Sequence, residues 1–351
     1  MRTVLLLCFF FGYTLVVAAQ NLPRIIVLST GGTIAGQQPD KDKAGYVAAK
    51  VPIDELLKNI PSIKQKATVT GEQIAAIGSY DMTTSIWLQL AKRINTIFAN
   101  NEAEGIVITH GTDTQEETAY FLSLTVKSEK PVVLTGSMRP ATAISGDGSK
   151  NLYDAIVVAA DAGSKGRSVL LCFNEQVFEA RDVVKIHTTN VNAFGAPNAG
   201  AIGTVYDSKV TYNTPATPKP VGFKPFDISS LDALPLVEIV YAYADASNTA
   251  INALINANVS GIIIAGTGNG SFNVAILESV KTAVHKNIIV VRSSRVVAGK
   301  VTTQYVGTFD DSKLGTIASH QFNPQKARIL LMLALTVTKD KNRIQELFFT
   351  Y

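Results

Sequence analysis

The sequence predicts an α/β fold: a larger N-terminal domain whose mostly parallel sheet is covered by helices, then a smaller C-terminal α/β domain. Three observations carry this reading. Short β-branched runs such as Ile25-Ile26-Val27-Leu28, Gly105-Ile106-Val107-Ile108 and Pro131-Val132-Val133-Leu134 alternate with stretches of helical periodicity, the pattern of buried parallel strands joined by helices. A proline-rich stretch from Thr214 to Pro225 interrupts the alternation and reads as a linker. The 351-residue length suits two domains with sizeable cores. The expected boundaries are 20–212 for the first domain, 213–234 for the linker and 235–351 for the second domain.

The first domain opens on the strand through Ile25–Leu28. Pro52 followed by Asp54 and Glu55 starts a helix through Leu57, since proline and early acids suit a helix N-terminus. Ala67–Ile77 is strand-like. Trp87, Ala91, Ile94 and Phe98 recur at helical spacing, with Thr83 or Thr84 as the N-cap. Gly105–Thr109 is a strand, and Thr114 with Glu117 has capping-box spacing before a helix through Leu124. Pro131–Leu134 is the next strand, Leu152–Ala160 a helix and Val169–Phe173 a strand. Loop-like, Gly/Asn-rich chain follows, with one strand over Val205–Tyr212 closing the domain. In the second domain, strands are expected at Val237–Val240, Gly261–Ala265 and Ile288–Val291, with helices between them. A last helix pair spans Pro324–Thr338 and Asn342–Phe349.

Hydrophobic residues make up 46% of the chain and charged residues 17%, with a net charge of +4. That is ordinary globular composition. With no Lys/Arg run and no aromatics interleaved with basic residues, nucleic acid is not an expected partner. Met1-Arg2, an apolar core from Leu5 to Val17 and Ala18-Ala19 have the form of a secretory signal peptide over 1–19. The apolar core falls short of the ~20 residues that span a bilayer, so the mature form is expected to be periplasmic or secreted and free of the membrane. Of the two cysteines, Cys8 lies in that leader and Cys172 in a strand. No intrachain disulfide is possible in the mature chain, and Cys172 reads as an inert core thiol.

The residue pattern excludes several chemistries. His110, His187, His285 and His320 have no metal-ligand spacing. There is no G-x-S-x-G elbow, the turn at Gly31 lacks the P-loop Gly-Lys-Ser/Thr, and Gly266–Ser271 lacks the third glycine of a dinucleotide fingerprint. No cofactor or metal is implied. What remains is a pair of threonine clusters, Thr30-Gly31-Gly32-Thr33 and Thr109-His110-Gly111-Thr112-Asp113-Thr114, each directly after an apolar strand. In open α/β sheets, ligands bind beyond the carboxyl ends of the strands. A threonine hydroxyl needs a base or a strong local field to become a nucleophile, and Tyr46, Asp113 and Lys185 are the candidates to supply one. Burial would lower the pKa of a lysine, whereas an adjacent carboxylate would raise it. Bland alternatives stand beside this reading: Thr112-Asp113 as a helix cap and Lys185 as a solvated charge.

These segments, together with Gly78-Ser79-x-Asp81-Met82, Glu116–Phe121, Gly136-x-Met138-Arg139-Pro140, Arg181-Asp182-Val183-x-Lys185, Gly268-Asn269-Gly270, Val291–Arg295 and Asn323–Arg328, resemble the bacterial type II L-asparaginases, in order, from about Asn21 to Tyr351. The resemblance implies an amidohydrolase that converts L-asparagine and water to L-aspartate and ammonia. It implies Thr33 as the nucleophile assisted by Tyr46, and Thr112, Asp113 and Lys185 as a second triad. Ser79 and Asp113 would bind the α-carboxylate and α-amino groups, with Tyr80 at the pocket wall. Thr112 and main-chain N–H groups near Ser137 would hold the oxyanion, and Asn269 would reach in from a neighbouring subunit of a homotetramer. The chain departs from the family pattern in three places. Tyr80 replaces a common glutamine, residues 304–310 offer no glutamate, and Ser137 replaces a common alanine. Comparable activity on L-glutamine is therefore a second expectation. A periplasmic amino-acid-binding protein is the alternative of another class.

Overall fold

The computed structural model describes residues 22–38, 47–216, 223–303 and 309–351. The proposed leader, Tyr46 and most of residues 304–310 lie outside the described residues. The first half of the chain runs β1 (Arg24–Gly31), α1 (Ile53–Lys58), β2 (Thr68–Ile77), α2 (Thr84–Ala99), β3 (Gly105–Thr109), α3 (Gln115–Thr125), β4 (Val132–Thr135), α4 (Gly148–Ala160) and β5 (Val169–Phe173). Shorter strands follow: β6 (Gln176–Glu179), β7 (Val184–Lys185), β8 (Phe194–Gly195), β9 (Gly203–Tyr206) and β10 (Lys209–Tyr212). The second half holds β11 (Val237–Tyr241), α5 (Thr249–Asn256), β12 (Gly261–Gly266), α6 (Val274–His285) and β13 (Ile289–Ser294). It ends with α7 (Asp311–Leu314), β14 (Ile317–Ala318), α8 (Pro324–Ala334) and α9 (Lys341–Thr350).

The large sheet has the strand order β10-β9-β6-β5-β4-β3-β1-β2. Its β1 to β5 core is parallel, and β6, β9 and β10 add antiparallel neighbours at one side. Strands β3, β4 and β5 are buried along their whole length, which is why they read as unbroken apolar runs rather than as alternating ones. Alternate side chains feed two cores. Leu28, Ile106 and Ile108 face α2 and α3, while Val27, Val107 and Val133 face α1 and α4. The C-terminal sheet, β11-β12-β13-β14, is parallel throughout and is packed by α5 and α6 on one face and by α8 on the other. The α8 face shares its apolar cluster with α2, α3 and Phe226, so the two halves are joined by a continuous core.

Several local expectations change. Thr83 caps α2 by accepting from the Ile86 N–H (3.2 Å). Thr114, however, makes no side-chain cap on α3. Its hydroxyl donates instead to the Ser79 carbonyl at 2.7 Å, so tertiary bonding displaces the capping box. The strand expected over Val205–Tyr212 is a hairpin, because Asp207 and Ser208 both take positive φ (46° and 58°), the signature of a two-residue turn. Helix α4 starts earlier than expected, at Gly148. Helix α8 stops at Ala334 rather than Thr338, where the Thr336 hydroxyl takes the Leu333 carbonyl and so competes with the helical bond. Cys172 is fully buried and its thiol is pushed up by desolvation. Among the described residues, no helix is long and apolar enough to cross a membrane.

Candidate active site

Strand order selects the place where a site can form. From β1 the chain proceeds to β2 on one side, while β3 lies on the other. The point where the order reverses leaves a crevice beyond the strand ends. Both threonine clusters emerge there, because β1 and β3 pair in register up to Ser29 and Thr109.

The two loops touch. Thr30 Oγ1 donates to the Thr109 carbonyl at 3.0 Å, and Gly32 N–H donates to Ile77 O at 2.9 Å. Gly32 has φ 81° and ψ −173°, a conformation essentially reserved for glycine. A Cβ on Gly32 would lie 2.3 Å from the Gly111 nitrogen, and one on Gly111 would lie 2.6 Å from Ser79 Oγ. The glycine immediately before Thr33 is thus pressed against the glycine immediately before Thr112, with Ser79 behind the second. Thr33 and Thr112 are 6% and 5% exposed. Thr33 opens a 3-10 turn through Ala35.

Around Thr112 the expected partners assemble. Lys185 Nζ donates to Thr112 Oγ1 at 2.9 Å and to Asp113 Oδ1 at 2.6 Å. The ammonium end is mostly enclosed, whereas the Asp113 side chain is 55% exposed. Ser79 Oγ accepts from the Asp113 N–H at 3.1 Å. A recess of about 350 Å³ opens at this point, lined by Asp113, Lys185, Ile186, His187 and Thr188. Two larger grooves among the described residues, one along α2 and one beside Tyr351, gather no comparable set of reactive groups. Tyr80 stands 73% exposed, with its ring over Gly78, where a Cβ would meet it at 2.5 Å. Ser137 is buried, and its hydroxyl donates to Arg139 O at 2.8 Å within its own turn. A Cβ on neighbouring Gly136 would strike His110 O at 2.4 Å, which sets the 136–137 turn against the second threonine loop.

Among the described residues, Asn269 is the expected site residue that bonds elsewhere than at this cluster. Its Nδ2 donates to Thr302 Oγ1 and its Oδ1 accepts from the Thr302 N–H, both at 2.9 Å, in the C-terminal half. The turn that carries it is held by Arg292, which is fully buried. Arg292 pairs with Asp311 through two bonds (2.7 and 2.6 Å) and donates to the Asn269 and Thr302 carbonyls.

Sequence reasoning missed the support beneath the site. His110 is completely buried, and desolvation pulls its imidazole down to about 4, so it is neutral at pH 7. Its Nδ1–H donates to Gly111 O (2.6 Å). Its Nε2 accepts from Thr118, which accepts in turn from the Trp87 indole N–H (2.7 Å). This chain fixes one tautomer and anchors the peptide that leads into Thr112. Glu116 and Asn323 were also missed as functional groups: Glu116 Oε2 accepts from the Lys185 N–H, and Glu116 Oε1 accepts from Asn323 Nδ2. Nothing in linear spacing could pair residues so far apart. Glu117 beside them is pushed up to about 7 by burial and the Glu116 charge. Among the described residues, no group of three or more His, Cys, Asp or Glu side chains is placed to hold a metal ion.

Comparison with known proteins places the whole chain in one family. The family model for the asparaginase N-terminal domain matches residues 24–218, and that for the glutaminase/asparaginase C-terminal domain matches 236–348. The chain is 50% identical to a "Probable L-asparaginase periplasmic" of Haemophilus influenzae, over 99% of this chain and 98% of that one. It is 48% identical to "L-asparaginase 2" of Escherichia coli over 95% of each. A solved structure described as a probable cytoplasmic L-asparaginase from Campylobacter jejuni superposes with a TM-score of 0.88 at 46% identity, covering 94% of this chain and 100% of that chain. The chain belongs to the asparaginase family.

Proposed function

We propose that this protein hydrolyses the side-chain amide of L-asparagine to L-aspartate and ammonia through an ester on Thr33. The observation that carries the reading is the Lys185–Thr112 hydrogen bond, with Asp113 alongside, on a loop packed against the one that bears Thr33. In the first step Thr33 Oγ bonds to the carboxamide carbon. The hydroxyl proton is relayed by way of Tyr46, in this reading, to the leaving nitrogen, and the C–N bond breaks to release ammonia. Water held on the Thr112 hydroxyl, which Lys185 Nζ orients and polarises, then adds to the ester carbon. The ester C–O bond breaks as the water's proton passes by way of Thr112 to Thr33 Oγ, which releases aspartate and restores the Thr33 hydroxyl. Asp113 is the acceptor for the substrate ammonium, and Ser79 with nearby N–H donors receives the α-carboxylate. Donors around Thr112 and Ser137 hold the oxyanion, where preorganised dipoles act most strongly.

The test is ammonia release from L-asparagine. Thr33→Val and Thr112→Val are expected to fold and to lose most of kcat. Turnover close to wild type in Thr33→Val would refute the nucleophile assignment. A binding protein would have no use for the Lys185–Thr112 pair, and calorimetry showing binding without ammonia release would favour that class instead.

A second reading, comparable use of L-glutamine, is supported by a relative in Pseudomonas aeruginosa named glutaminase-asparaginase, 41% identical over 95% of this chain and 91% of that one, and by the exposed Tyr80 beside Ser79. One methylene separates the two amides, which is worth about 1–3 kcal/mol. A kcat/KM ratio beyond roughly 10²-fold discards this reading. We further propose export to the periplasm with removal of 1–19, and a homotetramer in which Asn269 serves a neighbouring subunit's site. N-terminal sequencing and sedimentation test these two proposals.

A further inference from the structure

The segment Asn323–Lys326 takes no part in the chemistry above, yet it holds an unusual buried group. Lys326, in the first turn of α8, is 2% exposed. Its Nζ donates to two main-chain carbonyls, Arg181 O at 2.8 Å and Val183 O at 2.6 Å, and lies 5.9 Å from the Tyr120 ring centre. Burying an amine is costly unless its hydrogen bonds are worth keeping, and an apolar side chain would fill the same space without that cost. The two carbonyls belong to the stretch that leads into β7, which is only Val184–Lys185, too short to hold itself in place.

The next residue's ties complete a ring. The Lys185 N–H donates to Glu116 Oε2, and Glu116 Oε1 accepts from Asn323 Nδ2 (3.1 Å). Asn323 Oδ1 caps α8 by accepting the Lys326 N–H (2.9 Å). The Arg181 guanidinium donates to the Gln321 amide oxygen, just ahead of the same helix. The backbone of residues 181–185 is thus held on one side by the start of α8, from the C-terminal half, and on the other by the first turn of α3. From this clamp the Lys185 side chain extends to Thr112, on the loop that enters α3.

We propose that Lys326, together with Glu116 and Asn323, is a positioning residue for the amide hydrolysis: the ring fixes the 181–185 main chain so that Lys185 Nζ stays on the Thr112 hydroxyl. This rests on the role given to Lys185 above. It makes the C-terminal half a structural determinant of a reaction whose hydroxyls all lie in the N-terminal half. Loss of the Lys326 donors frees two buried carbonyls and lets the segment shift, and a misplacement of about 1 Å in a catalytic group costs up to roughly 10²-fold in rate. Lys185 Nζ also reaches Asp113, but the substrate's partners Ser79 and Asp113 lie on other loops and are tied to each other through the Asp113 N–H and Ser79 Oγ (3.1 Å), so binding is affected less than turnover.

The experiment is a double-mutant cycle on the full-length protein, reading kcat and KM for ammonia release from L-asparagine, with circular dichroism and thermal unfolding run alongside. Lys326→Met is expected to lower kcat by about tenfold to 10²-fold with KM within about threefold. In a Lys185→Met background the same change is expected to lower kcat by less than about twofold, because the group it positions is already gone. Unchanged kcat in Lys326→Met, or an equal fall in both backgrounds, overturns the proposal and leaves Lys326 a purely structural residue. If Lys185→Met turns over at the wild-type rate, the reading of the site itself fails, a result distinct from failure of the positioning. Should Lys326→Met not fold, Glu116→Gln takes its place in the cycle, with the same supporting and overturning outcomes.

Discussion

Replacing Gly32 by alanine tests whether the two threonine loops depend on each other's position. The glycine takes φ 81° and ψ −173°, and the added Cβ would lie 2.3 Å from the Gly111 nitrogen. Ordinary van der Waals contact begins near 3.4 Å, so the loops must separate by about 1.1 Å or the backbone must leave its conformation. The backbone term alone costs on the order of 1–3 kcal/mol, which in a protein of this size lowers Tm by a few degrees. The separation moves Thr33 relative to Thr112 by about 1 Å, which is worth up to roughly 10²-fold in rate. Gly32→Ala is therefore expected to remain folded, to melt a few degrees lower, and to show kcat for L-asparagine reduced by about 10²-fold. Ammonia release at 25 °C, beside a calorimetric melt, gives both numbers. A variant that melts lower but keeps wild-type kcat refutes the reasoning, because the gap between the loops would then not matter to the chemistry.

Other expectations concern the surrounding charges. Glu117, held up at about 7 against an ordinary 4.5, binds its proton more tightly when folded. Its contribution is fully present below pH 4.5 and is lost as pH rises through 7, a decline of up to about 3 kcal/mol; denaturant unfolding of Glu117→Gln across that window should show a flatter profile than wild type. His110 is held down at about 4 and works on the acid side, with stability present above pH 6.5 and lost as pH falls through 4. A His110→Gln variant that folds should lose less stability between those values. Asp311→Ala leaves the buried Arg292 guanidinium without its carboxylate and should cost on the order of 3–5 kcal/mol in unfolding free energy. A loss below about 1 kcal/mol would mean that Arg292 is satisfied by the carbonyls of the Asn269 turn alone.

Much of the fold was legible because its strands are buried on both faces. Gly105–Thr109 and Val169–Phe173 announce themselves as β-branched or apolar runs bounded by turn residues, and the structure keeps them at those limits. What local pattern could not reach was competition from distant partners. Thr114 has the spacing of a capping box, but a carbonyl at Ser79 outbids its own helix. The short strands β6 to β8 take their conformation from pairing rather than propensity, so their sequence looks loop-like. The same division holds at the site. Thr33, Thr112, Asp113 and Lys185 are visible in sequence because their residue types carry chemistry. Glu116, His110 and Lys326 bond to the site's support from positions where nothing but the fold reveals the neighbours. Asn269 marks a third case, a residue whose proposed partner belongs to another copy of the chain.

The most direct measurement is a crystal structure of the protein with L-aspartate bound. The account predicts the side-chain carboxylate of the product between the Thr33 and Thr112 hydroxyls, within hydrogen-bond reach of both, and the α-ammonium on Asp113. A product seated elsewhere, or one that reaches only one of the two threonines, would contradict it.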